Sequence, residues 1–142
     1  MAERQFCTFY VDGHYVGIDV VEVQEVIRYQ EMTHVPLAAP EISGLINLRG
    51  QIVTALDLRR RFGMADRPEG QLPMNVVVRT AEGSVSLLVD QIGDVLDVDD
   101  RSFERPPETL DPATRRLVKG AYKLDGKLLL VLETDRVVAL AA

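Results

Sequence analysis

The sequence predicts a mainly β protein, built as two similar small barrels packed side by side as one body, with only short helices. Two observations predict it: hairpin signals that frame the chain, and an internal repeat that covers most of it.

Phe6 to Val11 and Tyr15 to Val20 are apolar-rich runs around Asp12-Gly13, a pair that tolerates the positive φ of a tight hairpin turn. Asn75 to Arg79 and Val85 to Val89 flank Glu82-Gly83, and Gly120 to Leu124 and Lys127 to Leu132 flank Asp125-Gly126. Helical pattern is confined to Val20 to Glu25, Leu58 to Phe62, Pro112 to Leu117 and Thr134 to Leu140. At 142 residues the chain is long enough to bury roughly 70% of its extended-chain surface, so it needs neither disulfide nor metal to hold a core.

The repeat is read residue by residue. Val16 to Arg28 aligns with Val85 to Asp97, pairing Val16 with Val85, Ile18 with Leu87, Val23 with Ile92, Glu25 with Asp94 and Val26 with Val95. Gly44 to Arg60 aligns with Gly120 to Arg136, pairing Leu48 with Leu124, Gly50 with Gly126 and Asp57 with Glu133. The second copy has a longer internal loop, Arg101 to Arg116, where an insertion adds little closure entropy. The copies imply barrels at 11–64 and 74–136 within a single domain spanning 1–142, the polar, proline-broken segment Ala65 to Pro73 serving as the connection. Each copy is small enough to be marginal alone, so the two are expected to pack as one body with a groove between them.

Charge and composition narrow the function. With 16 basic and 22 acidic side chains the net charge is −6, a balance that repels phosphate backbones and anionic membranes. A nucleic-acid-binding barrel is therefore disfavoured, the more so because aromatic residues make up only 6% of the chain. The one basic cluster, Arg59-Arg60-Arg61, reads as a solvated turn of a short helix. Neither apolar run, Leu128 to Leu132 or Val137 to Ala142, approaches the ~20 residues of a membrane span, and the start has no signal-peptide core, so a cytoplasmic location is expected. Cys7 reads as a buried strand cysteine.

Catalytic patterns are thin. His14 and His34 have no metal-ligand spacing, no serine lies in a nucleophile elbow, and no glycine-rich phosphate cradle is present. A calcium loop at Asp97, Asp99 and Asp100 fails because arginines occupy the ligand positions 101 and 105, so a turn cap at Asp99 or Asp100 is the simpler expectation. A hydrolase using Asp90 and Asp94 would need a cleft of convergent acids with raised pKa values. No catalytic residue, cofactor or metal is assigned.

The sharpest local anomaly is Leu48-Arg49-Gly50-Gln51, where the other copy has Leu124-Asp125-Gly126-Lys127. Arginine at positive φ costs on the order of 1 kcal/mol, so if the turns share a geometry the first copy gives up stability there, which suggests function. Glu25 and Arg49 are replaced in the second copy by Asp94 and Asp125, so only the first barrel can form an ion pair between these positions.

These residues carry a resemblance. Gly44-Leu45-Ile46-Asn47-Leu48-Arg49-Gly50, followed by Ile52-Val53 and Leu56-Asp57-Leu58-Arg59, resembles the signature segment of CheW-type chemotaxis coupling domains. Gly17-Ile18-Asp19, Val23-Gln24-Glu25-Val26, Val35-Pro36 and Val89-Asp90-Gln91-Ile92-Gly93-Asp94-Val95 extend the likeness over nearly the whole chain. The resemblance implies two five-stranded SH3-like barrels and a non-enzymatic adaptor, monomeric when isolated. It would couple the cytoplasmic tips of methyl-accepting chemoreceptors to the regulatory domain of a CheA-type histidine kinase. It assigns Val23, Glu25 and Gly44 to kinase binding, Arg49 to the signature contact, and Val26, Val95 and Val98 to the receptor groove. An alternative keeps the coupling role in a non-flagellar chemosensory pathway.

Overall fold

The three hairpin signals become three antiparallel pairs in a computed structural model that describes residues 3–139 except Glu82. In chain order the strands are β1 (Glu3–Val11), β2 (His14–Asp19), β3 (Val23–Ile27), β4 (Ile42–Leu48), β5 (Gln51–Asp57), β6 (Met74–Thr80), β7 (Gly83–Val89), β8 (Gln91–Asp99), β9 (Phe103–Glu104), β10 (Val118–Leu124) and β11 (Lys127–Leu132). The helices are single turns: α1 (Leu58–Arg61), α2 (Pro112–Arg115) and α3 (Thr134–Val138). The helix expected over Val20 to Glu25 is shorter than that: a 3-10 turn takes Val20–Glu22, capped by the Asp19 carboxylate on the Val21 N–H, and Val23 and Glu25 are already strand. The β-branched run leaves the helical region as soon as cross-strand partners in β6 are available. Glu82 and Leu140, named in the expectations above, lie outside the described residues.

The strands form two sheets with one shared plan. One runs β3-β6-β7-β5-β4, the other β8-β1-β2-β11-β10-β9. Replacing each strand by its repeat equivalent converts the first order into β8-β1-β2-β11-β10, leaving only the two-residue β9 without a counterpart strand, and the parallel pairs β5/β7 and β11/β2 are equivalent too. The contiguous halves at 11–64 and 74–136 therefore need correction: the first sheet is drawn from residues 23–89, and the second from 3–19 together with 91–132. Each copy lends its first hairpin, β1/β2 or β6/β7, to the remaining strands of the other copy. The chain changes sheets at the 3-10 turn after Asp19 and at Asp90, between β7 and β8.

Three clusters make up the core. The largest lies between the sheets and joins Phe9, Val16, Ile18, Leu56, Leu58, Phe62, Val76, Val78, Leu87, Leu130 and Leu132. Ile46, Val53, Val77 and Leu88 fill the first barrel; Phe6, Val98, Tyr122, Leu129 and Val131 fill the second. Strands with one face in a barrel and the other against the neighbouring sheet are buried on both sides. That is why Val76 to Val78, Leu87 to Val89 and Leu129 to Leu132 are unbroken apolar runs and do not alternate. Among the described residues, no helix is long and apolar enough to cross a membrane.

Candidate partner-binding surface

The first sheet ends on β3 at one side and β4 at the other, and Val23, Glu25, Val26, Gly44 and Arg49 lie at those two edges. Glu25 lies on β3; Arg49 heads the β4–β5 turn, and its Nη1 donates to Glu25 Oε2 at 3.0 Å. The ion pair expected between them thus exists, and it ties the turn to the opposite edge of the sheet. It is lopsided: the Arg49 side chain is 78% exposed and that of Glu25 only 15%.

Arg49 has φ +53° and Gly50 φ +84°, so the turn imposes left-handed backbone on a bulky side chain, at a cost on the order of 1–2 kcal/mol. The Asn47 side chain offsets part of it by accepting the Gly50 N–H at 2.9 Å. The two copies do not share this geometry, however. At Asp125-Gly126 only the glycine has positive φ, so the unfavourable residue, and not the tolerant one, holds the more demanding turn.

Gly44 is buried, not displayed. A Cβ there would sit 2.6 Å from the Thr33 carbonyl oxygen, and the close approach lets Thr33 and Leu45 exchange both backbone hydrogen bonds at 2.8 Å. Its repeat partner Gly120 makes the same allowance for β9, where a Cβ would meet the Glu104 carbonyl at 2.5 Å. Val23 is half-buried and packs against the core between the sheets, so a charge there would unsettle the fold as well as any surface.

The three valines part company. Val26 on β3 and Val95 on β8 occupy equivalent edge strands and are 38% and 57% exposed. Val98 is 8% exposed and belongs to the core of the second barrel with Phe6 and Tyr122, which corrects its expected place in a groove. Alternation along β8 explains the difference, because positions 95 and 98 face opposite sides of the strand. Val95→Asp should change unfolding free energy by about 1 kcal/mol or less, whereas Val98→Asp should remove about 3 kcal/mol or more. Urea denaturation of the two variants checks this, and comparable losses would contradict it.

Residues 5–142 match the family described as the CheW-like domain. The chain belongs to that family. It is 28% identical to the chemotaxis protein CheW of Bacillus subtilis (strain 168) over 134 residues, spanning 94% of this chain and 86% of that protein. The chemotaxis protein CheW of Rhizobium meliloti (strain 1021) is 27% identical over the same length and coverage. The crystal structure of the scaffolding protein TtCheW from Thermoanaerobacter tengcongensis superposes with a TM-score of 0.86 at 28% identity, covering 98% of this chain and 94% of that one. Membership makes this CheW-like chain a chemotaxis scaffold of the adaptor kind.

This CheW-like fold also contains a polar centre that sequence reasoning missed. Arg59, expected in water, has a side chain only 9% exposed. Its Nη2 donates to Asp90 Oδ2 at 2.6 Å and its Nε to Asp90 Oδ1 at 3.0 Å. Arg67, from the connecting segment, reaches the same carboxylate at 2.8 Å and Asp57 at 3.1 Å. The Asp12 N–H adds a bond to Asp90 Oδ2 at 2.7 Å. Asp90 is the residue at which the chain changes sheets, so this centre clasps the β1–β2 turn, α1 and the connection around the crossing. Burial pushes the Asp90 carboxyl up, but the Arg59 hydrogen bond, the Asp12 N–H and the nearby guanidinium charges outweigh it and hold the group below the usual carboxylate range. That is opposite to the raised value a hydrolytic acid would need. The repeat contained a weak signal, since Arg59 aligns with Asp135 and Asp90 with Val21; the centre has no counterpart in the other barrel.

The turn cap expected at Asp99 holds, and the buried strand cysteine holds in part: Cys7 lies on β1 but is half-buried. Asp99 accepts the Arg101 N–H at 2.9 Å and caps the 3-10 turn Asp100–Ser102. Burial, then the Asp19 charge, push the Cys7 thiol up, away from a reactive thiolate.

Proposed function

We propose that this chain couples chemoreceptor cytoplasmic tips to the regulatory domain of a CheA-type histidine kinase, with no catalytic step of its own. The observation that carries the reading is the Arg49–Glu25 pair, which fixes an exposed, strained turn across both edges of the first sheet. A turn held at such cost, while its repeat equivalent is relaxed, favours recognition over stability. Val23 and Glu25 on β3 and the Gly44-shaped edge of β4 supply the kinase-facing surface, with the β3 edge offering main-chain bonds to a similar barrel, since β4 already pairs with Thr33 at Leu45. Exposed Val26 and Val95 supply apolar contacts for a receptor helix. The isolated chain acts as a monomer that joins membrane arrays through its partners.

Exposed pairs contribute ~0–1 kcal/mol, so Glu25→Arg and Arg49→Glu should remain folded. Each should lower kinase activation in reconstituted receptor arrays at least about 10-fold, equivalent to ~1.4 kcal/mol of lost coupling. The double swap should recover part of that loss. Additive losses would remove the pair from the mechanism and leave Arg49 as an independent contact.

A further inference from the structure

The triplet Arg59-Arg60-Arg61 divides: Arg59 turns inward to Asp90, while Arg60 and Arg61 line a trough between α1, α2 and α3. Two adjoining cavities of about 750 and 550 Å³ share Arg116 and Arg136 as common walls, and Arg115 lines the second. Five of the 16 basic side chains of a chain with net charge −6 therefore face this trough, and among the described residues no acidic side chain lines either cavity.

The way these guanidinium groups are held matters more than their number. Arg61 donates to the carbonyls of Val137 (2.8 Å), Arg136 (2.9 Å) and Ala139 (3.3 Å). Arg115 donates to those of Glu108 and Leu110, and Arg136 to that of Arg116. These acceptors orient the forks without neutralising them. Among the described residues, Arg60 alone of the five meets a carboxylate, that of exposed Asp66 at 3.0 Å. Closing the end of α3 accounts for Arg61 but gives no reason for Arg116 and Arg136 to stand beside it. Like charges gathered and pre-oriented in a concavity cost free energy until an anion arrives.

Arg60 and Arg136 are repeat equivalents, so the trough lies where the two copies meet and is distinct from the β3–β4 edges. Its lining, which includes Leu117, Val118 and small residues, offers no aromatic face for a nucleobase, and two adjoining cavities of about 750 and 550 Å³ hold more than a single phosphate. Planar guanidinium forks match carboxylates bidentately.

We infer that this trough docks an acidic, carboxylate-rich segment of a partner protein, whose Glu or Asp side chains meet Arg60, Arg116 and Arg136. The test is fluorescence anisotropy with a labelled peptide of alternating glutamate and alanine, beside its glutamine counterpart, short single-stranded DNA of equal length, and inorganic phosphate as competitor. The glutamate peptide should bind and weaken at least about 10-fold between ~50 and ~200 mM salt, and the glutamine peptide should not bind. Arg116→Glu, at an exposed position, should weaken binding at least about 10-fold at unchanged melting temperature, and adding Arg136→Glu should abolish it. Absence of peptide binding, or binding untouched by Arg116→Glu, would overturn the inference. DNA bound as tightly as the peptide, or phosphate displacing it at matched charge concentration, would reassign the trough to nucleic acid or to a small anion.

Discussion

Replacing Asp90 with alanine is expected to remove about 3–5 kcal/mol of folding stability, the largest loss of any single polar substitution in this chain. The variant leaves two buried guanidinium groups, Arg59 and Arg67, without the carboxylate that both share, and frees the Asp12 N–H. Arg59→Ala should cost somewhat less, because Arg67 would still neutralise Asp90. Asp90→Asn separates charge from shape: it keeps an acceptor but loses the charge, and should fall between them. The same centre sets a pH dependence. The folded Asp90 carboxyl is more acidic than an unfolded one, at about 3.9, so the native state binds fewer protons and its contribution is complete above that value. It is lost as pH falls from about 4 through the lower folded value. Urea midpoints across this range should therefore fall more steeply for the wild type than for Asp90→Asn. Parallel curves would show that Asp90 is not the linked group.

Cutting the chain between Glu69 and Gly70, in the connecting segment, should yield two fragments that are unfolded apart and fold when mixed. Fragment 1–69 keeps β3 without its partner β6 and β5 without β7, and fragment 70–142 keeps β8 without β1 and β11 without β2. Neither holds a complete sheet, and the core between the sheets draws on both. Circular dichroism of each fragment and of the equimolar mixture checks this. A fragment that folds by itself as a monomer would mean that one copy can close its own sheet, contrary to the exchange of hairpins. A chain divided at its duplication boundary is ordinarily expected to separate into domains; here the hydrogen-bond ladders run across that boundary.

Much of this was legible in the residues. Hairpins at Asp12-Gly13 and Asp125-Gly126, the α1 and α3 turns, and the pairing of Gly44 with Gly120 all rest on interactions within a few residues or on the repeat, and both are properties of the linear chain. The Glu25–Arg49 pair was legible for the same reason: comparing the copies showed one position pair with opposite charges and its equivalent with two acids. Positive φ at Arg49 is expected from the residues on the condition that its turn shares the geometry of Asp125-Gly126; Arg49 adopts it although the turns differ, because turn type also depends on how the flanking strands twist against their neighbours.

What the sequence by itself determined is local and periodic: the strands, their turns, the duplication, and the signature that joins the chain to the CheW-like family. Only the tertiary structure decided which strands pair, and with that the fate of individual charges and valines. Arg59 and Arg60 are neighbours on one short helix, yet one is buried on Asp90 and the other faces an open trough, because successive positions on a helix point about 100° apart. Val95 and Val98 diverge by the alternation of a strand. Arg67 belongs to the polar connecting segment, and only the crossing at Asp90 places a carboxylate within 2.8 Å of it. Composition and spacing fix which groups a segment carries; burial and pairing depend on what the rest of the chain brings to meet them, and in this fold the meeting elements come from opposite copies of the repeat.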